Sequence, residues 1–469
     1  MTKNNYQKIF ISLSLLLLST FFGFPKISQA ATSVTQYGIT WTFDADYTVG
    51  QFVNGDYWVV GPVTIDSKTP AWTGADHGSI LDPAVGGYNQ PFHSGTVYNT
   101  PFSDALRVSF PVTISSGVHS LVSTITDSAY TGTGTPRSFV RNAAVLTIVN
   151  SAPSATSFRP PFVAGAKPFY DSAMINYSLI PSYVAPGATL DLTGYANMPT
   201  LNYGGKTFGE ENWMPSNDYA GESYPPYAEI AFVSRVSLMM LVDTPNRISY
   251  INKLIQIGID DYSKWMGNDF AWIASGGYGG GHLWPILFAG RMLNNSAMMN
   301  VTRYSSSFPL AHNSAEQGYT YYNNNGTVMF GSEECLAGQT PYPPTACSNN
   351  MCRPLDGLLF PEVAWGSCGG GYRCLVSAKW AGPALAMRVL EPTLGTMTLF
   401  NHPAYFDYTD YWVANPKDSS GQPPASDYAT DYYAYGGNGN GFMKYMWDTY
   451  RNDYGDTVTP ASPTGLSVL

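Results

Sequence analysis

The sequence predicts a multidomain α+β protein, an antiparallel β-sandwich in the N-terminal third followed by an α/α-toroid-like helical domain. Three observations carry this. Short runs of β-branched and aromatic residues recur between turn residues up to about Val149, the period becomes helical after Pro226, and the helical stretches are joined by long polar loops. The expected boundaries are 1–30 for a leader, 31–150 for the sandwich, 151–209 for a connecting segment, 210–455 for the helical domain and 456–469 for a tail.

The leader is read from its pattern. Lys3 and Lys8 precede an almost wholly apolar run from Ile9 to Phe24, and Ser28-Gln29-Ala30 has the small residues of a cleavage site. The protein is therefore expected to be secreted, extracellular or periplasmic. No later stretch approaches the ~20 apolar residues of a membrane span, so no membrane insertion is expected.

In the sandwich the expected strands are I-T-W-T-F, Y-W-V-V, V-T-I, A-L-R-V-S-F-P-V-T-I, S-L-V-S-T-I and A-A-V-L-T-I-V, separated by Gly, Pro, Asn and Asp. The segment 151–209, with Arg159-Pro160-Pro161 and Lys167-Pro168, lacks periodicity and reads as an exposed, wrapping connection. Helices follow at Tyr227–Val242 and, after the stop and first-turn signals of Asp243-Thr244-Pro245, at Asn246–Trp265. Ile248, Ile251, Leu254, Ile255 and Ile259 make that second helix amphipathic. Further helices are expected at Trp284–Leu293, Val376–Leu390, Pro403–Val413 and Gly441–Arg451.

Charge and cysteine content narrow the function. The formal charge of −10 becomes −13 once the three lysines of the leader are removed, which argues against nucleic acid and anionic membranes as partners. Aromatics at 14% exceed charged residues at 12%, a balance shared by many extracellular sugar-handling proteins. An extracellular polysaccharide is the expected partner. Cys335, Cys347, Cys352, Cys368 and Cys374 fall in one short stretch and read as two local disulfides with a thiol left over; their spacing suits zinc poorly. No cofactor is expected and no metal ligand is assigned; nucleotide binding in particular is set aside, because the glycines at 276–281 follow no clear strand of a βαβ unit, and no basic residue follows them as in a P-loop.

The candidate site centres on Ser275–Leu293, where five glycines surround Tyr278 and lead through His282 into a helix with Pro285 in its first turn. Tyr278 and His282 form a possible proton-transfer pair, and Trp272 and Trp284 possible sugar-stacking surfaces. The same residues also suit a tight turn with its aromatics packed in the core.

Several segments resemble secreted bacterial polysaccharide lyases built on (α/α) toroids, often with a β-sandwich attached. They are N-W-M-P at Asn212–Pro215, the helix ending I-D-D-Y at Tyr262, the glycine loop into W-P-I-L-F-A-G, K-W-A-G-P-A-L-A-M-R, and N-H-P-A-Y-F-D-Y. The resemblance covers roughly residues 205–450. It implies a cleft between helices and β-elimination of a uronic-acid glycan, with Tyr, His, Asn or Arg at the site. One difference is order, since the sandwich here comes first.

β-Elimination needs a group to neutralise the carboxylate, a base for the adjacent proton and an acid for the leaving oxygen. Tyr278 and His282 suit the proton transfers, Asn212 and Arg235 the carboxylate, although an arginine in an apolar helix also suits a structural ion pair. Trp213, Trp272 and Trp284 are expected to bind substrate. His312 and Glu316, four residues apart, would share a helix face suited to binding substrate or to a metal or acid/base role, or lie in a polar loop. Asn401 or His402 is expected to cap the helix at Pro403, and Asp407 and Asp410 to form a solvated face. Two other readings stand beside the lyase: a glycoside hydrolase using two of Glu210, Glu211, Asp218 and Glu222, and a non-catalytic glycan-binding or surface protein.

Overall fold

A computed structural model of the chain describes residues 28–84, 89–95, 101–126, 140–184, 225–267, 280–301, 320–322, 326, 328–330, 372–414 and 442–452. It is a mixed α+β structure, with a curled sheet first and a helical region after it. Strands β1 (Gln29–Gln36), β2 (Ile39–Gln51), β3 (Tyr57–Val60), β4 (Val63–Thr69), β5 (Ser79–Leu81), β6 (Val112–Ile114), β7 (His119–Thr126) and β8 (Val140–Val149) join in one sheet. Its order is β5-β7-β8-β3-β2-β4-β6, with β1 also paired to β2.

The sheet departs from the expected antiparallel sandwich in two ways: β3 and β8 run parallel, and the strands form one continuous half-barrel. The long strand β2 is the reason. Thr40–Phe43 pair with β4 while Val49–Gln51 pair with β3, so one strand serves both wings of the curl. Inside it Trp41, Phe43, Val63, Ile65, Leu121, Leu146 and Ile148 make one apolar core. The Trp41 indole N–H donates to Ser123 Oγ on β7 at 3.1 Å, across the curl. Lys68 spans the same gap, its ammonium donating to the carbonyls of Thr124 and His77, and burial lowers its pKa to about 7.

The run A-L-R-V-S-F-P-V-T-I is a strand only over its last three residues; Asp104–Leu106 form a 3₁₀ turn instead. Pro111 has no N–H to give a ladder.

Where it is described, over 151–184, the connecting segment is exposed in part, as expected, but its residues 157–163 are buried. Phe162 and Val163 join Val122, Val145 and Phe92 on the outer face of the sheet, while Phe158, Ile175 and Ile180 belong to the helical core. Phe158, Arg159 and Phe162 are fully buried. Chymotrypsin under native conditions is therefore expected to spare the bonds after Phe158 and Phe162; early cleavage at either would mean that the segment does not pack on both halves.

The helices are α1 (Pro225–Met239), α2 (Arg247–Gly267), α3 (Leu283–Met292), α4 (Ser296–Met299), α5 (Tyr372–Leu394), α6 (Thr396–Phe400), α7 (Pro403–Ala414) and α8 (Phe442–Tyr450), with a hairpin of β9 (Thr320–Tyr322) and β10 (Val328–Phe330) between α4 and α5. They share one large core. Helices α5 and α7 pack on each other, as Tyr405 Oη donates to the Trp380 carbonyl and Ser377 Oγ to Tyr408 Oη. None of the described helices is long and apolar enough to cross a membrane.

Two expectations about the last helices change. His402 does not cap α7 with its side chain: the imidazole Nε2 donates to the Thr320 carbonyl at 2.7 Å, and Asn401 ends α6 with φ 53°. Asp407 and Asp410 are not simply solvated either. Asp407 accepts from Tyr322, and Asp410 holds both Arg388 and Arg451, joining α5, α7 and the end of α8.

Candidate functional site

The described part of the site is built on α2 and the start of α3. Helix α2 buries nearly its whole circumference. Ile251, Leu254, Ile255 and Ile259 enter the helical core, but Asn252, Lys253, Gln256, Asp260, Asp261 and Lys264 are buried as well. Burial of so many polar groups is tolerable only because they meet partners.

One set of partners lies in the connecting segment and the sheet. Arg159 donates through Nη1 and Nη2 to Asp260 at 3.1 and 2.5 Å, and through Nε to Asp56 Oδ2 at 2.5 Å. Asp56 also accepts from Gln36 and Asn54; Asp260 accepts from the Phe162 N–H, and Gln256 donates to the Arg159 carbonyl. Burial by itself would lower the guanidinium's pKa, but Asp260 and Asp56 outweigh it and hold Arg159 above its ordinary value. Arginine suits this position because its planar fork serves two carboxylates at once.

The other set surrounds His282. Its Nδ1 lies 3.3 Å from Asp261 Oδ2, and Lys264 Nζ lies 2.7 Å from Asp261 Oδ1. A carboxylate can only accept, so Nδ1 carries the proton and donates, leaving Nε2 as the ring atom through which a proton would be gained. His282 has 0% exposure, so the pair is enclosed by the protein.

Two glycines set this geometry. At Gly281, φ is +91° and an added Cβ would meet Ile230 Cα at 2.8 Å, so the residue before His282 needs both the left-handed conformation and the close approach to α1. At Gly258 an added Cβ would lie 2.1 Å from the Pro285 carbonyl oxygen. That contact brings α2 and α3 together antiparallel, and one turn along it Asp261 meets His282. Gly258→Ala is expected to lower stability: overpacking against backbone costs about 1–3 kcal/mol, more than the ~1 kcal/mol that alanine gains in a helix. A denaturation midpoint equal to or above that of the unchanged chain would show that the two helices can separate freely.

The other expected site residues divide sharply. Trp284, expected as a sugar-stacking surface, is a core side chain: it is 2% exposed, its indole N–H donates to Ser237 Oγ at 3.0 Å, and its ring packs on Phe288 at 5.2 Å. The first turn of α3 faces α1, leaving the ring no open face. Arg235 lies on α1 and is buried. Cys374 falls on α5. Tyr278, Asn212, Trp213, Trp272, His312, Glu316, the four carboxylates near Trp213 and the other four cysteines lie outside the described residues. Among the described residues no three His, Cys, Asp or Glu side chains converge as metal ligands would.

Sequence reasoning missed Asp261, Lys264 and the Asp56–Arg159–Asp260 triad. The signal available was small: I-D-D-Y and Arg-Pro-Pro are visible, but nothing in them says that they meet. Comparison with family models, curated proteins and solved structures finds no match.

Proposed function

We propose that the protein is a secreted carbohydrate-active enzyme that cleaves a uronic-acid-containing polysaccharide by β-elimination. The observation that supports this best is the imidazole of His282, oriented by the carboxylate of Asp261, four residues after Tyr278 at the end of the glycine loop. An oriented imidazole whose Nε2 can take a proton is the kind of group that abstraction beside a uronate requires. In this reading Tyr278 and His282 share the two proton transfers, and Asn212 and Arg235 lower the charge on the substrate carboxylate, which requires substrate to reach the buried His282 and Arg235. The aromatic-rich composition and the leader fit an extracellular glycan. The antiparallel pair α2/α3 is the kind of unit an (α/α) toroid is made of, and the toroid belongs to the same proposal.

The test is an assay of the exported protein on uronate and neutral glycans, recording unsaturated-product absorbance together with new reducing ends. Both signals are expected on a uronate glycan. Reducing ends alone would mean a hydrolase, and binding with neither would mean a glycan-binding protein. On a confirmed substrate, Tyr278→Phe should lower turnover by roughly 10²–10⁴-fold while the melting temperature stays nearly unchanged. Full activity of that variant would remove Tyr278 from the chemistry. His282→Gln is a better companion than His282→Ala, because a buried ring replaced by a methyl group leaves a cavity beside the Asp261 carboxylate.

A further inference from the structure

Asp260 and Asp261 are consecutive on α2 and face different partners. The first takes the Arg159 fork, the second holds His282. Between them lies Phe162, whose ring has Arg159 on it at 5.7 Å and Lys264 at 5.9 Å, while its backbone N–H donates to Asp260. A continuous buried chain thus runs from Asp56 in the turn between β2 and β3, through Arg159, Asp260, Phe162 and Lys264, to Asp261 and the imidazole. Arg159, Asp56, Asp260, Lys264, Asp261 and His282 are each at most 2% exposed. A buried charge whose partners are fixed has few alternative positions, so this chain fixes both the rotation and the axial position of α2.

We propose that Arg159 and Asp260 are positioning residues for His282. They lock α2 against the sheet so that Asp261 stays on Nδ1, and the ring keeps its proton there with Nε2 as the basic atom. The inference rests on the proton-transfer role given to His282, but its test reads the ring itself and not turnover. The sheet is then part of the site although it contributes no group to the chemistry.

The full chain has six histidines, so selective ¹⁵N-histidine labelling gives a readable long-range ¹H–¹⁵N spectrum, with His282 assigned by its loss in His282→Gln. In the unchanged protein the Nδ1–H tautomer of His282 should exceed the other by more than about tenfold. In Asp260→Asn and in Arg159→Lys, which keeps the charge but loses the fork, the excess should fall to about threefold or less, with the other histidine signals in place. Asp261→Asn should have the same effect and calibrates it. A ring with its proton on Nε2 in the unchanged protein overturns the proposal, as does a His282 signal that moves in Asp261→Asn alone. Loss of folding in both Asp260→Asn and Arg159→Lys also overturns it, because the triad would then determine the fold and not the position of one ring.

Discussion

Arg159→Met is expected to destabilise the protein by about 3–5 kcal/mol, the range seen when one member of a buried ion pair is removed and the other left uncompensated. Here two carboxylates are stranded, Asp56 at 0% and Asp260 at 2% exposure, which places the expectation toward the upper end. Burial costs both carboxylates, and the guanidinium between them is the charge that bonds to both. The effect should therefore depend on charge and not on lost packing. Arg159→Met combined with Asp56→Asn and Asp260→Asn removes all three charges while leaving amide oxygens for Gln36 and the Phe162 N–H. It should recover a large part of the loss, since neutral replacements of buried ion networks are often tolerated. Urea melts of the single and triple variants decide the matter. A single variant within about 1 kcal/mol of the unchanged protein would mean that water reaches the triad and the two halves are not locked there.

Stability should also rise with pH in two separate steps, one from His402 and one from Lys68. Burial holds the His402 imidazole down at about 4, against an ordinary 6.5, despite the Thr320 carbonyl accepting from it. Between those values the unfolded chain binds a proton that the folded chain refuses, so stability is lost as pH falls from 6.5 to 4, by about 3 kcal/mol for a shift of this size. Lys68 acts in the same direction higher up. Its folded value of about 7 lies below the ordinary 10.5, so stability should climb as pH rises from 7, by about 2–3 kcal/mol at pH 9. Melts from pH 4 to 9 should show both steps. His402→Gln should flatten the acid step alone and Lys68→Met the alkaline step alone, whatever each does to absolute stability. A stability that is flat or falling from pH 7 to 9 would mean that Lys68 is hydrated.

The local elements were legible because each depends on a short stretch of chain. The Y-W-V-V run is β3 residue for residue, and Asn246–Trp265 matches α2 to within two residues at either end. Strand type was legible where β-branched residues alternate between turns, and failed at Ala105–Pro111, where apolar composition alone suggested a strand. The glycine before His282 was also legible as a special backbone position, and Gly281 has the φ and the close contact that only glycine accepts.

By itself, then, the sequence determined the order of strands and helices, the change from sheet to helix near Pro226, and the loop that carries His282. Those are properties of local periodicity and backbone sterics, which need no partner to be expressed. Only the tertiary structure decided what the polar face of α2 is for. Apolar residues at helical spacing implied a second face toward water, yet Gln256, Asp260 and Lys264 are buried, because the segment after the sheet lays Arg159 and Phe162 across them. The same holds for Trp284, whose chemistry suits a sugar or a core equally well until α1 covers it. Whether a polar or aromatic side chain faces solvent depends on contacts between residues about a hundred positions apart, such as Arg159 with Asp56 and Asp260. A long-range pairing of that kind leaves no period in the sequence, since it is set by how the halves close on each other and by the cost of burying a charge without its partner.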